Sequence, residues 1–113
     1  MLCEKDEQTC QIDLNDVFYI EWVDNKCCVC TKDDVFTLGT SLASIEESLK
    51  DRHFIRISKM CLCNLFKIKS VSNGLNMRLT AEMANGERVV VSRHYRDGLL
   101  AAIHQLARGI AKK

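Results

Sequence analysis

The chain has 113 residues and a mass of 12.9 kDa, which suits one compact domain and is too small for two. A hydrophobic fraction of 47% is typical of a globular protein and excludes a disordered segment or a fibre. The net charge of +1 hides an asymmetry, because residues 1–53 carry 12 acidic and 5 basic side chains and residues 54–113 carry 3 and 11. The two halves have net charges of −7 and +8, a pattern that points to a polyanionic partner.

The sequence has no feature of a membrane or exported protein. Its longest apolar runs, residues 17–20 and 99–103, are far shorter than the roughly 18 residues that a membrane span needs. The polar, acidic N-terminus lacks the basic and apolar regions of a signal peptide. We therefore expect a cytoplasmic protein without membrane association.

Seven cysteines are many for this length, but the number is odd and no export signal is present, so we predict reduced thiols. Cys27 and Cys30 have the spacing of a zinc knuckle, yet the residues between them are strand-like and include no glycine. Cys61 and Cys63 alternate with Leu62 and so share one face of a strand. We interpret both groups as small buried hydrophobic residues rather than metal ligands. A minority alternative is redox sensitivity in the group formed by Cys27, Cys28 and Cys30.

The first half of the chain predicts a short β-meander followed by a helix. Residues 1–9 are polar, and we predict that they form a flexible acidic tail ahead of one domain spanning residues 10–113. Residues 17–23 are β-branched and aromatic, and turn-forming residues separate them from two further short strands at 27–31 and 35–38. A short helix should follow, capped by Thr40 or Ser41, with three apolar residues at helical spacing: Leu42, Ile45 and Leu49.

The second half predicts more strands and a final helix. Two Asn-Gly pairs, at Asn73 and Asn85, predict tight turns. Residues 75–83 alternate between apolar and polar side chains, which predicts a strand, and residues 89–91 should be its hairpin partner. The last element carries an apolar stripe at helical spacing, formed by Leu99, Ile103, Leu106 and Ile110. The predicted fold is therefore mainly β, with one short central helix and one C-terminal helix.

Enzyme signatures are missing from the sequence. It contains none of the phosphate-binding glycine loops, the zinc-protease helix or the serine-hydrolase elbow. The three histidines, His53, His94 and His104, are scattered, and nothing places a nucleophile beside a base. We expect no enzymatic activity, no cofactor and no metal.

The basic second half is the strongest functional signal from composition. Lysine and arginine neutralise phosphates and read base edges, and alternating strands can expose such residues on one face. The alternative is a non-enzymatic module that uses the same basic face for protein interaction, or for ligand or redox sensing.

Four segments, in order, resemble the LytTR domain, a DNA-binding module of bacterial transcriptional regulators. They are residues 12–21, similar to its opening strand; residues 41–49, similar to its Ser-Leu helix; residues 54–65; and residues 85–95, similar to its last hairpin. The third segment is the most specific, since it matches the pattern Phe-x-Arg-x-His-Arg/Lys-Ser-x-x-Val-Asn, in which Asn64 is the closing asparagine with a structural role. The resemblance covers almost the whole chain.

The resemblance implies an elongated multi-stranded β fold whose loops enter major grooves of direct-repeat promoter sites in double-stranded DNA. Lys59 stands at the loop position that contacts DNA in the family, and Arg93 at the contact after the last hairpin. A third contact would fall at Cys27, beside Lys26, where the family usually has a polar or aromatic residue. Ser58 replaces a frequent histidine and can still bond a phosphate. The predicted DNA-binding residues are Lys26, Cys27, Arg56, Ser58, Lys59, Arg93 and Arg96.

Regulators of this type normally belong to two-component systems and carry a phosphoacceptor receiver domain, for which 113 residues leave no room. The chain is therefore either a stand-alone regulator or a DNA-binding domain excised from a longer response regulator. At most a weak homodimer on DNA is expected.

Overall fold

A computed structural model of the chain describes the backbone of residues 1–111 and the side chains of residues 1–108. Ten strands and two helices make up this part, in agreement with the predicted mainly β fold. The elements are β1 (Leu2–Lys5), β2 (Gln8–Gln11), β3 (Val17–Val23), β4 (Lys26–Thr31), β5 (Val35–Leu38), α1 (Leu42–Ser48), β6 (Phe54–Ser58), β7 (Cys61–Asn64), β8 (Ile68–Asn73), β9 (Leu79–Met83), β10 (Arg88–Val91) and α2 (Arg96–Ala111).

Two antiparallel sheets form the fold. Seven strands make the large sheet, in the order β2-β1-β5-β4-β3-β7-β6, and β10-β9-β8 make the small one. The predicted meander is confirmed as β3, β4 and β5. Its first turn is a two-residue hairpin at Asp24 and Asn25, which both adopt the left-handed conformation that this turn type requires.

The first nine residues differ from the predicted flexible tail. The structure places them in a hairpin, in which β1 pairs with β2 and continues onto β5 through Glu4 and Thr37. Cys3 is fully buried in this hairpin and packs on the core. The polar composition of the segment is misleading because β2 is the sheet edge, where polar side chains face solvent and only one or two residues need to point inward.

The small sheet confirms one predicted turn and corrects the other. Gly86 has a φ of +89° and closes the β9–β10 connection as expected. Gly74 does not form a tight turn with Asn73, because a longer loop of residues 74–78 follows β8 and bends through left-handed residues at Asn76 and Met77. The strand predicted for residues 75–83 therefore begins only at Leu79.

Two hydrophobic clusters lie on opposite faces of the large sheet. Helix α1 covers one face, and its predicted apolar residues, Leu42, Ile45 and Leu49, are buried there. The small sheet and α2 cover the other face, where Leu99 of the predicted stripe is fully buried and Ile103 and Leu106 are half-buried. The fourth stripe residue, Ile110, lies outside the described side chains. Strand β7 lies between β3 and the edge strand β6, and each of its four residues is buried.

All seven cysteines are unpaired thiols. Four of them are buried, as the interpretation as small hydrophobic residues requires: Cys3, Cys27, Cys61 and Cys63. Burial raises the pKa of the Cys63 thiol to about 12 and that of Cys30 to about 11, so both stay protonated at neutral pH. Ser41 caps α1 by accepting a hydrogen bond from the Ser44 amide at 3.1 Å, as predicted.

Candidate nucleic-acid interface

Three strands end at the same edge of the molecule. The backbone amide of Trp22, near the end of β3, donates to the carbonyl of Met60 at 2.8 Å. The amide of Ser92, just after β10, donates to the carbonyl of Ile57 in β6 at 2.9 Å. These two hydrogen bonds hold the β3–β4 turn, the β6–β7 loop and the segment after β10 next to one another, although the sequence separates them by up to 70 residues.

The β6–β7 loop presents Lys59 to solvent. Ser58 pairs with Cys61 across a register shift, so Lys59 and Met60 project beyond the paired strands, and both are exposed. The Ser58 hydroxyl accepts a hydrogen bond from the Met60 amide at 3.3 Å. Ser58 therefore shapes the loop that carries the lysine, in addition to the phosphate contact predicted for it.

Arg56 holds the same loop from inside. Its guanidinium donates from Nη1 to the carbonyl oxygen of Lys59 at 2.5 Å, and from Nε and Nη2 to Oε1 of Glu46 on α1 at 3.3 and 2.8 Å. The Arg56 side chain is only 16% exposed. The structure therefore places Arg56 as a support of the Lys59 loop, while the sequence pattern predicts a direct DNA contact.

The β3–β4 turn contributes Lys26 but not Cys27. Lys26 is exposed at the first position of β4. Cys27 is fully buried, and its Sγ lies 3.3 Å from the Thr40 carbonyl oxygen. Alternation along the strand turns the two neighbouring side chains to opposite faces. The predicted Cys27 contact is corrected accordingly, since the side chain faces the core.

The segment after β10 brings two arginines to this edge in different roles. Arg93 is exposed in a short helical turn. Arg96 is half-buried and donates to Asn73 Oδ1 at 3.2 Å and to the Met77 carbonyl at 3.5 Å. It thereby fastens the loop of residues 74–78 beside Arg93.

This loop is the part of the edge that the sequence pattern missed. It exposes Arg78, together with Leu75 and Met77, which are 83% and 61% exposed. The Asn-Gly pair suggested a tight turn and so hid a longer loop. We call the edge formed by residues 24–26, 58–60, 73–78 and 92–96 the basic edge.

Other cations of the chain lie away from the basic edge. Lys32 follows the opposite end of β4. Lys67 precedes β8, and its backbone carbonyl accepts a hydrogen bond from the Ala84 amide, which follows β9. The Lys67 ammonium lies 5.1 Å from the centre of the Phe18 ring. Arg88, by contrast, starts β10 opposite Glu82 and lines a surface groove together with Ser58 of the basic edge. The described positive charge of the second half is therefore not confined to the loops of the basic edge.

The described residues hold no obvious catalytic constellation. No group of three or more metal-binding side chains comes together among them. His53 packs edge-on against the Phe66 ring at 4.5 Å, whereas His94 and His104 are exposed on other elements. Within residues 1–111, neither helix is long and apolar enough to cross a membrane.

Exposed cations on the loops at one end of a β scaffold define a loop-based module for binding a polyanion. Comparison with known proteins identifies the module. The family model of the LytTr DNA-binding domain matches residues 7–104, and the chain belongs to this family.

Individual relatives agree. The sensory transduction protein LytT of Bacillus subtilis (strain 168) is 30% identical over 93 residues, which cover 82% of this chain and 39% of that protein. LytT of Bacillus anthracis is 26% identical over 90 residues, 80% of this chain and 37% of that protein. The chain thus spans about two fifths of the curated relatives that it matches.

A solved structure confirms the fold. The LytTr DNA-binding domain of a putative methyl-accepting/DNA response regulator from Bacillus cereus superimposes with a TM-score of 0.85 and 25% sequence identity. The alignment covers 91% of this chain and 94% of that one. The two-sheet architecture with two helices is therefore that of the family.

Proposed function

We propose that this domain binds double-stranded DNA sequence-specifically through the basic edge, as the DNA-binding part of a bacterial transcriptional regulator. The observation that carries the proposal is the convergence of Lys26, Lys59 and Arg93, from three distant segments, on one edge held by backbone hydrogen bonds. Residues 1–113 act in the cytoplasm as one unit in this proposal, with no catalytic role.

The dimensions of the edge fit DNA. The β3–β4 turn and the β6–β7 loop are two strand spacings apart, about 10 Å, because neighbouring strands lie about 4.8 Å apart. The major groove is about 12 Å wide, so it can admit either loop, with the other loop against the adjacent backbone. Lys59 and Arg93 are the proposed contacts to base edges, and Lys26 and Arg78 the proposed contacts to phosphates.

Arg56 and Arg96 have an indirect part in this proposal. Each bonds to the backbone of a loop at the basic edge, Arg56 to the 58–60 loop and Arg96 to the 73–78 loop. Fixed loops lose less conformational entropy on binding, which favours affinity for a matching site. The two arginines thus position the groups that touch DNA.

The rest of the regulator is also a proposal. Because the LytT relatives are much longer than the matched region, we infer that this domain works with a receiver domain on the same or a separate chain. Direct-repeat sites would place two copies side by side on DNA with at most a weak homodimer contact.

Selection from a random duplex library, followed by fluorescence anisotropy on the selected duplex, tests the function. We expect selected sites to share a repeated motif and to bind much more tightly than a scrambled duplex. With the two phosphate contacts proposed for one domain, Lys26 and Arg78, affinity should fall roughly tenfold between about 50 and 200 mM salt. Selection without a shared motif, or salt-independent binding, would contradict the proposal and favour an acidic protein partner.

Matched variants test the site. Arg93→Ala should cost about 1 to 3 kcal/mol at the selected site, and Lys59→Ala a similar or smaller amount. Lys32→Ala removes the same charge away from the basic edge and should bind within about twofold of the parent. Equal losses in all three variants would show that only net charge matters.

A further inference from the structure

We propose that Cys3 and Cys10 form a reversible intramolecular disulfide when the protein meets a hydroperoxide, which makes the β1–β2 hairpin a site of thiol oxidation. The proposal is independent of DNA binding, because β1 and β2 lie at one edge of the large sheet and β7 and β6 lie at the other edge.

The strand register places the two thiols directly opposite each other. Cys3 and Cys10 are paired Cα partners in the antiparallel β1–β2 ladder, and both contribute to the hydrophobic cluster under α1. Directly opposed residues of a ladder project to the same face. Their sulfurs therefore face one another on the inner side of the hairpin.

The distance suits a disulfide. Met1 and Ile12 exchange both backbone hydrogen bonds, at 2.7 and 3.0 Å, so this pair is of the hydrogen-bonded type. Two residues further along, Cys3 and Cys10 are the same type of pair, for which Cα atoms lie about 5.5 Å apart. Disulfides bridge Cα separations of about 4.4 to 6.8 Å and Cβ separations of about 3.5 to 4.5 Å. Opposed Cβ atoms of a hydrogen-bonded pair lie about 5.5 Å apart, so the two strands must approach by about 1 Å at this edge hairpin for the bond to form.

The other thiols lack this arrangement. On the opposite face of the sheet, Cys28 and Cys61 both pair with Glu21, one on each side, so an entire strand separates them. Cys30 and Cys63 flank Tyr19 in the same way. Two strand spacings are about 10 Å, which exceeds the reach of a disulfide.

The two thiols differ in access to solvent, which sets the order of the steps. Cys10 is half-buried at the sheet edge, whereas Cys3 is fully buried and desolvation raises the pKa of its thiol. A small peroxide therefore reaches Cys10 first, and Cys3 acts as the resolving thiol.

The chemistry balances with a hydroperoxide as the oxidant. The Cys10 thiolate attacks one peroxide oxygen; an S–O bond forms, the O–O bond breaks, and the leaving hydroxide takes up a proton to become water. The Cys3 sulfur then gives up its proton and attacks the sulfenic sulfur of Cys10; an S–S bond forms, the S–O bond breaks, and a second water leaves. The two thiols lose two electrons and two protons, and hydrogen peroxide is reduced to two waters.

Tryptic mapping tests the proposal sharply, because Lys5 lies between the two cysteines. The folded protein is treated with stoichiometric hydrogen peroxide, blocked with N-ethylmaleimide, unfolded and digested. We expect a disulfide-linked pair of peptides 1–5 and 6–26, each of which contains a single cysteine. Five of the seven thiols should remain free, and dithiothreitol should restore all seven.

Three controls decide the interpretation. Cys28→Ser removes a thiol outside the pair and should leave the crosslink unchanged. In Cys10→Ser, Cys3 should stay reduced, because its own access to peroxide is blocked. In protein that is unfolded in urea before oxidation, the crosslink between peptides 1–5 and 6–26 should no longer be the most abundant disulfide. Any one of three results would overturn the proposal: overoxidised Cys10 with free Cys3, a dominant crosslink to peptide 27–32, or direct oxidation of Cys3 in Cys10→Ser.

Discussion

Glu46→Ala separates two roles for Arg56 by the sign of its effect on DNA binding. Glu46 is an acidic residue on α1 whose carboxylate holds the Arg56 guanidinium. If Arg56 contacted DNA directly, removal of this carboxylate would free a cation and reduce repulsion of the phosphates, so affinity would rise. If Arg56 positions the Lys59 loop, removal of its anchor would loosen the loop, so affinity for the specific site would fall.

The size of the fall follows from the contacts. Hydrogen bonds of charged groups contribute about 1.5 to 3 kcal/mol. The Glu46 side chain is 44% exposed, so water replaces part of what is lost and we take about 1 kcal/mol as the effect on the loop. That free energy corresponds to a loss of about fivefold in affinity for the selected duplex.

The assay is anisotropy on the selected and scrambled duplexes, with Glu47→Ala as the matched control. Glu47 is the next acidic residue on α1, and it bonds to Lys50 at 3.1 Å rather than to the loop. We expect Glu47→Ala to leave specific affinity unchanged or slightly increased. An affinity of Glu46→Ala at or above that of the parent would refute the positioning role of Arg56.

Three predictions concern stability, each measured by urea unfolding. Asn64 is 2% exposed, donates to the Val17 carbonyl at 2.8 Å and accepts from the Phe66 amide at 3.0 Å, so Asn64→Asp should cost about 1 to 3 kcal/mol; an unchanged midpoint would contradict this role. Burial raises the pKa of Cys63 from about 9 to about 12, so its contribution to the free energy of unfolding is complete below pH 9 and is lost as pH rises towards 12. Cys63→Ala should therefore flatten the decline of stability in this range by up to about 1.4 kcal/mol per pH unit. An equally steep decline in the variant would exclude Cys63 as its source. Ser41→Ala removes the α1 cap and should cost about 1 kcal/mol, against at most about 0.5 kcal/mol for Ala43→Ser on the exposed side of the same helix turn.

Local patterns predicted most of the strands correctly because they depend on neighbouring residues. The β3–β5 meander follows from short β-branched runs between turn residues, and α1 from its cap and apolar spacing. The motif of residues 54–65 also located the Lys59 loop. What these patterns could not show is which side chain reaches which element.

The differences arise from contacts between distant parts of the chain. Arg56 matches the family pattern and was therefore predicted to contact DNA. Its ion pair with Glu46 could not be predicted, because it depends on how α1 packs on the sheet. The alternation of residues 75–83 continues through Leu75 and Met77, yet Arg96 holds these residues in a loop instead of a strand. Only the pairing of β1 with β5 makes the polar first residues part of the sheet.

The family comparison decides between the two functions that the basic charge left open. A basic face alone is compatible with DNA or with an acidic protein, because both present negative charge. The match of residues 7–104 to the LytTr DNA-binding domain favours DNA, and the geometry of the basic edge then indicates which loops are involved.

The most direct test of the central proposal is a titration of the ¹⁵N-labelled domain with the selected duplex, followed by amide chemical shifts. The largest shifts should cluster in residues 24–26, 58–60, 73–78 and 92–96. The turns at residues 32–34 and 84–87, at the other ends of the two sheets, should change little. Largest shifts in those two turns, or on the outer face of α2, would contradict the basic edge as the DNA-binding surface.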